Sequence, residues 1–594
     1  MLINQQIKTL RGLWFLIERR QKIYCLCVVI LMIVASLAEA LSIGSLVPFL
    51  TILSNPQKIT EIPFLVWIYD ILNLKISATS LTMVVTFIFI SAVIIAALIR
   101  LLLLWAVITL SFLIGSSLST RMFQIAMHQD YETHLSENSS TLISGITVKV
   151  DSIIFGAFMP CMLLLSSFGM LLAIIGMLLF FSAGLTILIF GVFVLIYITV
   201  IFSVKNKIIR QSREISQGSE NVIKVLQEAF GGIRDVIVGG YQKYYVELYK
   251  KENINLKKSQ GNCNFIGQSP RYFIEALGVA SIALAAYLLS KKDEGLLDLL
   301  PMLGAIAFGA QKLLPILQQG YAAFVSLQSN QASLNDALLL LERPAIIVYG
   351  NSSSLSDKKF LKEIKFNAVS FCYRNAKNNI LSDVDLVIPR GSRVGIIGPS
   401  GGGKSTFLDL LLGLLEPTSG SITIDGEIIN SGNDSWRRLI SHVPQHVFLI
   451  DGTILENIAL GVPENLVDVN RLNRSLELAQ LSSFVNGIYK GCKAEIGENG
   501  GKLSGGQRQR VGIARALYMN KKVLIMDEAT SALDSNTEME IMNSLYALDA
   551  QITLIIVSHK ISALSRCDVI FEIDGGIIRK KDFSEIIKNE IWNT

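Results

Sequence analysis

One stretch of this chain carries glycines, a lysine and hydroxyls in an order that can hold phosphate: Gly398, Pro399, Ser400, Gly401, Gly402, Gly403, Lys404, Ser405 and Thr406. The apolar run Arg393-Val-Gly-Ile-Ile397 leads into it, and the helical pattern Thr406-Phe-Leu-Asp-Leu-Leu-Leu412 leads out. Strand, glycine loop and helix are the surroundings such a loop requires. The glycines let backbone N–H groups close around phosphate oxygens, and the helix N-terminus adds its positive end. Lys404 then reaches the β- and γ-phosphates, and Ser405 is placed to ligate Mg²⁺. Further on, the apolar run Val523-Leu-Ile-Met526 ends in two carboxylates, Asp527 and Glu528. Asp527, closing a buried strand, can hold Mg²⁺ through water. Glu528 beside it can polarise the water that attacks the γ-phosphate. An ordinary acidic pair at a strand end is the simpler alternative. The neighbouring segments argue against it: Gln507 lies twenty residues before Asp527, and Ala529-Thr-Ser-Ala-Leu-Asp534 follows Glu528. The chemistry implied is hydrolysis of ATP with Mg²⁺.

The elements that position these residues fall into two unlike halves. A length of 594 residues exceeds one domain. The apolar excess fills the first half, while residues 355–594 read as a mixed soluble domain. Six apolar stretches, at 23–53, 81–114, 153–181, 184–204, 272–290 and 299–326, each hold the roughly 20 residues a membrane span requires. Arg19, Arg20 and Lys22 flank the first, and Lys205, Lys207, Arg210 and Arg213 follow the fourth. Both termini are therefore predicted to be cytoplasmic. The first run, Ile23 to Leu53, is too long for a cleaved signal peptide and fits a retained anchor helix. The polar segments 115–152 and 205–268 then fall on the cytoplasmic side, either as helices that continue past the bilayer and break at Gly231-Gly232 or as two soluble insertions; their lack of an independent apolar core favours the helices. The expected division is a transmembrane domain at 1–345, a linker at 346–361 and a nucleotide-binding domain at 362–594.

Net charge is only +5, which gives no case for a nucleic-acid partner. The seven cysteines are scattered and odd in number, so no disulfide framework is indicated, and no metal-ligand spacing appears among them. After the first span, Ile62-Pro-Phe-Leu-Val-Trp-Ile-Tyr-Asp-Ile-Leu72 reads either as an outer interfacial helix with Trp67 and Tyr69 at headgroup depth, or as a helix packed on its own bundle. Charges stand inside the apolar runs: Glu39, Arg100, Glu275 and Lys312. An Arg or Lys at a helix centre costs at least about 2.5 kcal/mol on insertion scales. Two explanations stay open for Arg100 and Lys312. They hold an anionic group of a cargo in a wet cavity, or they are spent on a partner, as Arg100 would be on Glu39.

Leu503, Ser504, Gly505, Gly506 and Gln507 resemble the signature motif of ATP-binding-cassette (ABC) transporters. The other elements of that family follow in order. Tyr373 matches the aromatic that stacks on adenine. Gln445 matches the glutamine that contacts Mg²⁺ and the membrane domain. Ser531 to Asp534 resembles the D-loop, and His559 matches the switch histidine at the γ-phosphate. Glu495 to Gly500 resembles the cross-link segment of exporters. The resemblance implies a fold: an all-α six-helix transmembrane domain of the domain-swapped ABC exporter type, plus an α/β P-loop cassette. It also implies a homodimer, in which Ser504, Gly505, Gly506 and Gln507 of one copy close over nucleotide on the other. Asp130-Tyr-Glu-Thr-His134 and Glu228 to Arg234 match coupling helices.

Ala38 to Ile52 and Arg271 to Gly278 are similar to bacterial Pgl-type flippases of lipid-linked oligosaccharides. That similarity implies a protein of the bacterial inner membrane that moves a lipid-linked or amphipathic substrate among membrane lipids. Arg100 and Lys312 would engage the lipid's phosphate. An exporter of other lipids, drugs or peptides is the alternative reading.

Overall fold

The computed structural model describes residues 2–54, 78–181, 183–290, 296–343, 360–374, 376, 378–429 and 434–585. The chain divides into two units, residues 1–129 with 137–347, and residues 130–136 with 348–594. The expected outer helix at 62–72 and the linker segment 348–357 lie outside the described residues.

The first unit is helical. Its helices are Leu2–Leu16 (α1), Arg19–Gly44 (α2), Leu46–Ser54 (α3) and Ala78–Met127 (α4), followed, after the short Tyr131–Ser136 (α5), by Ser139–Ser144 (α6), Val150–Ile153 (α7) and Met159–Phe181 (α8). Two π-helical turns, Gly145–Lys149 and Ile154–Phe158, join α6, α7 and α8. Then come Ala183–Gly231 (α9), Ile233–Val238 (α10), Gln242–Gln268 (α11), Pro270–Ser290 (α12), Leu296–Ser329 (α13) and Gln331–Leu341 (α14). At 1.5 Å per residue the 50 residues of α4 reach about 75 Å, more than twice the hydrocarbon core of a bilayer. The 49 residues of α9 likewise reach well beyond a bilayer.

Among the described residues, Arg19–Leu53, Thr82–Met127 and Ser139–Phe180 are long and apolar enough to cross a membrane. The other three expected spans fall on α9, α12 and α13. Large apolar side chains such as Leu101, Trp105, Phe168 and Leu195 stand exposed on these helices. A surface of that kind is stable only against lipid or another protein.

The break expected at Gly231-Gly232 is present, but the short helix expected over Glu228 to Arg234 starts later. Glu228, Ala229 and Phe230 remain in α9, and α10 begins at Ile233. Gly232 leaves helical geometry at φ −104°, ψ 24° while its N–H still bonds to Glu228 O. Two glycines lower the cost of stopping a helix there.

The second unit carries two sheets. Strands Glu363–Phe371 (β1), Leu381–Pro389 (β2), Ser419–Ile424 (β4) and Glu427–Ile428 (β5) form one, in the antiparallel order β2-β1-β4-β5. The other has the order β10-β9-β3-β8-β7-β6, from Arg393–Ile397 (β3), Ile440–Val443 (β6), Val523–Asp527 (β7), Thr553–Val557 (β8), Val569–Asp574 (β9) and Ile577–Lys581 (β10). Its strands pair in parallel except for β9 with β10. All five residues of β8 and the first four of β7 are buried, as central strands covered on both faces must be. The helices that matter to the site are Lys404–Leu411 (α15), which follows β3, and Gly505–Tyr518 (α16) and Ser535–Tyr546 (α17), which flank β7.

Candidate functional site

The loop between β3 and α15 is shaped by glycines that no larger residue could replace. Gly398 sits at φ +150°, and a Cβ there would lie 2.1 Å from Ile573 O. Gly403 caps α15 at φ +104°, while a Cβ on Gly401 would meet nothing within 4 Å. The loop is therefore closed on the side of β9 and open at Gly401, the side where an anion can approach the backbone N–H groups. Lys404 Nζ donates to Gly398 O at 2.7 Å and to Pro399 O at 3.0 Å, so it lies across the loop mouth. It also stands 3.2 Å from His559 Nε2. Ser405 follows Lys404 in the first turn of α15 and is exposed, whereas Thr406 is buried.

The carboxylates at the end of β7 gather the other expected residues. Glu528 leaves the strand in the left-handed region at φ +47°, with its N–H bonded to Val557 O. A non-glycine residue there costs about 1–2 kcal/mol. The step turns its carboxylate toward Gln445, whose Nε2 donates to Oε2 at 2.9 Å, and toward His559, whose Nε2 is 3.0 Å from Oε1. Lys404, Gln445, Glu528 and His559, from four separated segments, thus form one polar chain. Burial, and then the neighbouring Glu528, push the Asp527 carboxyl up, against the opposing pull of Lys404. Asp409 on α15 is pushed up to about 6 by burial and by Asp527. A buried carboxylate short of counter-charge suits a cation.

The oxygen donors on hand are the Asp527 carboxylate, the Ser405 hydroxyl and the Gln445 carbonyl, the hard set Mg²⁺ prefers. Among the described residues no cluster of three or more His, Cys, Asp or Glu side chains forms a metal cage. Such a site fits a cation that arrives with phosphate ligands of its own.

The segment Ser504 to Gln507 begins α16 as a capping box. Gln507 N–H donates to Ser504 Oγ at 3.2 Å, and Ser504 N–H donates to Gln507 Oε1 at 2.8 Å. Among the described residues no hydrogen bond or ion pair joins this segment to Gly398 through Ser405. Sequence reasoning passed over Gln509. Its Nε2 donates to Ser531 Oγ at 3.0 Å and its Oε1 accepts from Ala532 N–H at 2.9 Å, tying α16 to the turn after Glu528. Asp534 caps α17 by accepting from Thr537 N–H at 3.0 Å, which holds its carboxyl below the usual range.

Tyr373 packs edge-on against Phe371, with ring centres 5.0 Å apart. Beside it lies α5, which groups with this unit rather than with the helices around it in sequence. Tyr131 packs on the cassette core, and Glu132 takes the Arg374 side chain and N–H, each at 3.1 Å. The sequence had marked this segment, but not Arg374 as its anchor.

In the helical unit, Arg100 and Lys312 converge on one residue, Glu39. Lys312 Nζ is 2.9 Å and an Arg100 nitrogen 3.6 Å from Glu39 Oε1. The Arg100–Glu39 pair left open by the sequence is present. Arg100 also lines a cavity of about 380 Å³, whereas Lys312 is not among its lining residues. Glu275 pairs with Arg271 one turn away.

Comparison with known proteins agrees with these two units. The family model described as ABC transporter matches residues 381–531, and that of the ABC transporter transmembrane region matches residues 22–307. The chain is 30% identical over 394 residues to an ATP-dependent lipid A-core flippase of Cupriavidus pinatubonensis, which covers 64% of this chain and 65% of that protein. It is 37% identical over 254 residues, 43% of each chain, to the mycobactin import ATP-binding/permease protein IrtB of Mycolicibacterium smegmatis. The solved structure of a bacterial Atm1-family ABC exporter with ATP bound superposes with a TM-score of 0.75 at 20% identity, over 97% of both chains, and so shares the fold. A membrane region and an ATP-binding cassette follow one another in a single polypeptide, and the chain belongs to the ABC transporter family.

Proposed function

We propose that this chain is an ATP-hydrolysing exporter that works as a homodimer and moves a lipid-linked oligosaccharide or glycolipid from the inner to the outer leaflet of a bacterial inner membrane. The observation that carries the ATPase part is the placement of Glu528 between Gln445 and His559, with Lys404 next to His559. Bound Mg²⁺-ATP supplies the phosphoryl group and the cation that offsets its charge. Gly398 through Gly403 hold the phosphates with backbone N–H groups, and Lys404 exchanges its two loop carbonyls for phosphate oxygens. Ser405, Asp527 and Gln445 would hold the cation. Glu528 accepts the proton of the attacking water. His559, 3.0 Å away, keeps that carboxylate aimed.

Tyr373 stacks on the base. The Ser504 hydroxyl and the N–H groups of Gly505 and Gly506, with Gln507, close the site from the second copy, and Asp534 lies in the adjoining turn. A second copy of the chain is part of this reading, because among the described residues no hydrogen bond or ion pair joins the signature segment to the phosphate loop.

The relative named as a lipid A-core flippase supports a glycolipid cargo. The paired cations at Glu39 support one that bears phosphate. A second reading, transport of a different amphipathic compound, draws on the relative named as a mycobactin importer. The purified chain in proteoliposomes, with a fluorescent lipid-linked oligosaccharide and a Glu528→Gln control, tests both. ATP-dependent movement to the far leaflet is expected. Hydrolysis without that movement would favour the second reading, and ion conduction independent of hydrolysis would overturn both.

A further inference from the structure

Glu39 on α2 is fully buried, at 0% exposure. Both cations near it approach Oε1, and neither carboxylate oxygen accepts a hydrogen bond of good geometry among the described residues. The helices α3 and α8, which also pack on α2, bring no charged side chain. Two cations from α4 and α13 therefore share one carboxylate, and the cluster carries one net positive charge. A charge inside an apolar bundle is held there by a partner or by a function.

The two cations are only partly enclosed. Arg100 is 38% exposed and lines the cavity together with Ser166, Met170 and Gln319. Its guanidinium has five N–H donors in a fork, so turning one toward Glu39 leaves others free for a second anion. Lys312 is 27% exposed, with Nζ 5.5 Å from the centre of the Phe308 ring. A sealed carboxylate that two half-open cations lean on does what the phosphate of a lipid headgroup would do at the same place.

We propose that Glu39 is an internal counter-anion which sets the charge of this site, and that an anionic headgroup binds by drawing Lys312 and Arg100 away from it. Glu39 is then a specificity-determining residue. It keeps the cations in place, and it makes every anionic ligand compete with a built-in one. This rests on the reading above that the cargo carries an anionic group.

The test uses the full chain in phosphatidylcholine nanodiscs and calorimetric binding of dodecyl phosphate, with dodecyl maltoside as the neutral probe. Glu39→Gln raises the local charge from +1 to +2, and should tighten dodecyl phosphate by about tenfold or more. Lys312→Gln brings the charge to zero and should weaken it by about tenfold. The double variant E39Q/K312Q restores +1 and should return to near the wild-type affinity. Dodecyl maltoside should not distinguish the four proteins. If Glu39→Gln weakens dodecyl phosphate as Lys312→Gln does, Glu39 is only a clamp between helices and the proposal is overturned. Should Glu39→Gln fail to fold, the double variant decides alone: affinity no better than that of Lys312→Gln overturns it. The predicted order of affinities together with absent glycolipid transport would sink the cargo reading and leave the counter-anion standing.

Discussion

Two carboxylates in this molecule have nearly the same immediate geometry and opposite designs. Glu528 in the cassette sits 2.9 Å from the Gln445 amide and 3.0 Å from the His559 ring. Glu39 in the membrane region sits 2.9 Å from Lys312 and 3.6 Å from Arg100. The partners of Glu528 are an amide and an imidazole, which orient the carboxylate. Its side chain is also 19% exposed, so water and a cation can reach it. The partners of Glu39 are a lysine and an arginine, and its side chain is 1% exposed, so it can only trade partners. A carboxylate aimed by an amide and an imidazole, and open to water, is available for proton transfer. One that is sealed between cations stores charge.

The sharpest break of this comparison is Glu528→Gln. It should lower phosphate release by about 10²–10⁴-fold while nucleotide binding persists, measured by steady-state release and by retention of labelled ATP. Hydrolysis within fivefold of wild type would remove Glu528 from the role of base. Next comes the mirror image of the Glu39 cluster. Lys149, 2% exposed, pairs with both Glu220 and Asp336. Lys149→Met should cost about 2–3 kcal/mol of stability, read as an earlier melting transition, with the Glu528-dependent hydrolysis unchanged at lower temperature.

A smaller effect is expected at the docking of α5. Glu132→Ala removes the contacts to Arg374, a half-exposed pair worth about 1 kcal/mol at most. It should leave basal hydrolysis nearly intact while reducing its stimulation by cargo; equal stimulation would make α5 a passive contact. The last is the pH response of a half-buried group with no ion-pair partner among the described residues. Burial pushes His442 from 6.5 down to about 4, so it folds neutral. The stability this contributes is present above about pH 6.5 and is lost as pH falls toward 4. Melting followed across that window should fall with acid in the wild type and less steeply in His442→Gln.

The phosphate loop, the strand-end carboxylates and the signature segment could be read directly because each is a contiguous run whose local geometry follows from its own residues. Gly398 and Gly403 show why: their backbone angles admit little else. The capping box of Ser504 and Gln507 is equally local. The long helices were legible from apolar runs, but their ends were not. The break fell at Gly231-Gly232 as the pattern suggested, but the short helix began at Ile233 rather than Glu228, because Glu228 O still accepts the N–H of Gly232. The left-handed turn at Glu528 has no signature in residue type, since it is imposed by the bond to Val557 on the next strand.

By itself the sequence determined the chemistry of the cassette and the membrane character of the first half, because both depend on residue type and short-range order. Only the tertiary structure decided that α5 groups with the cassette, that Lys404 meets His559, and that Arg100 and Lys312 share Glu39. Those three facts join residues far apart in the chain. Their electrostatic cost or gain exists only once packing has removed water from between them.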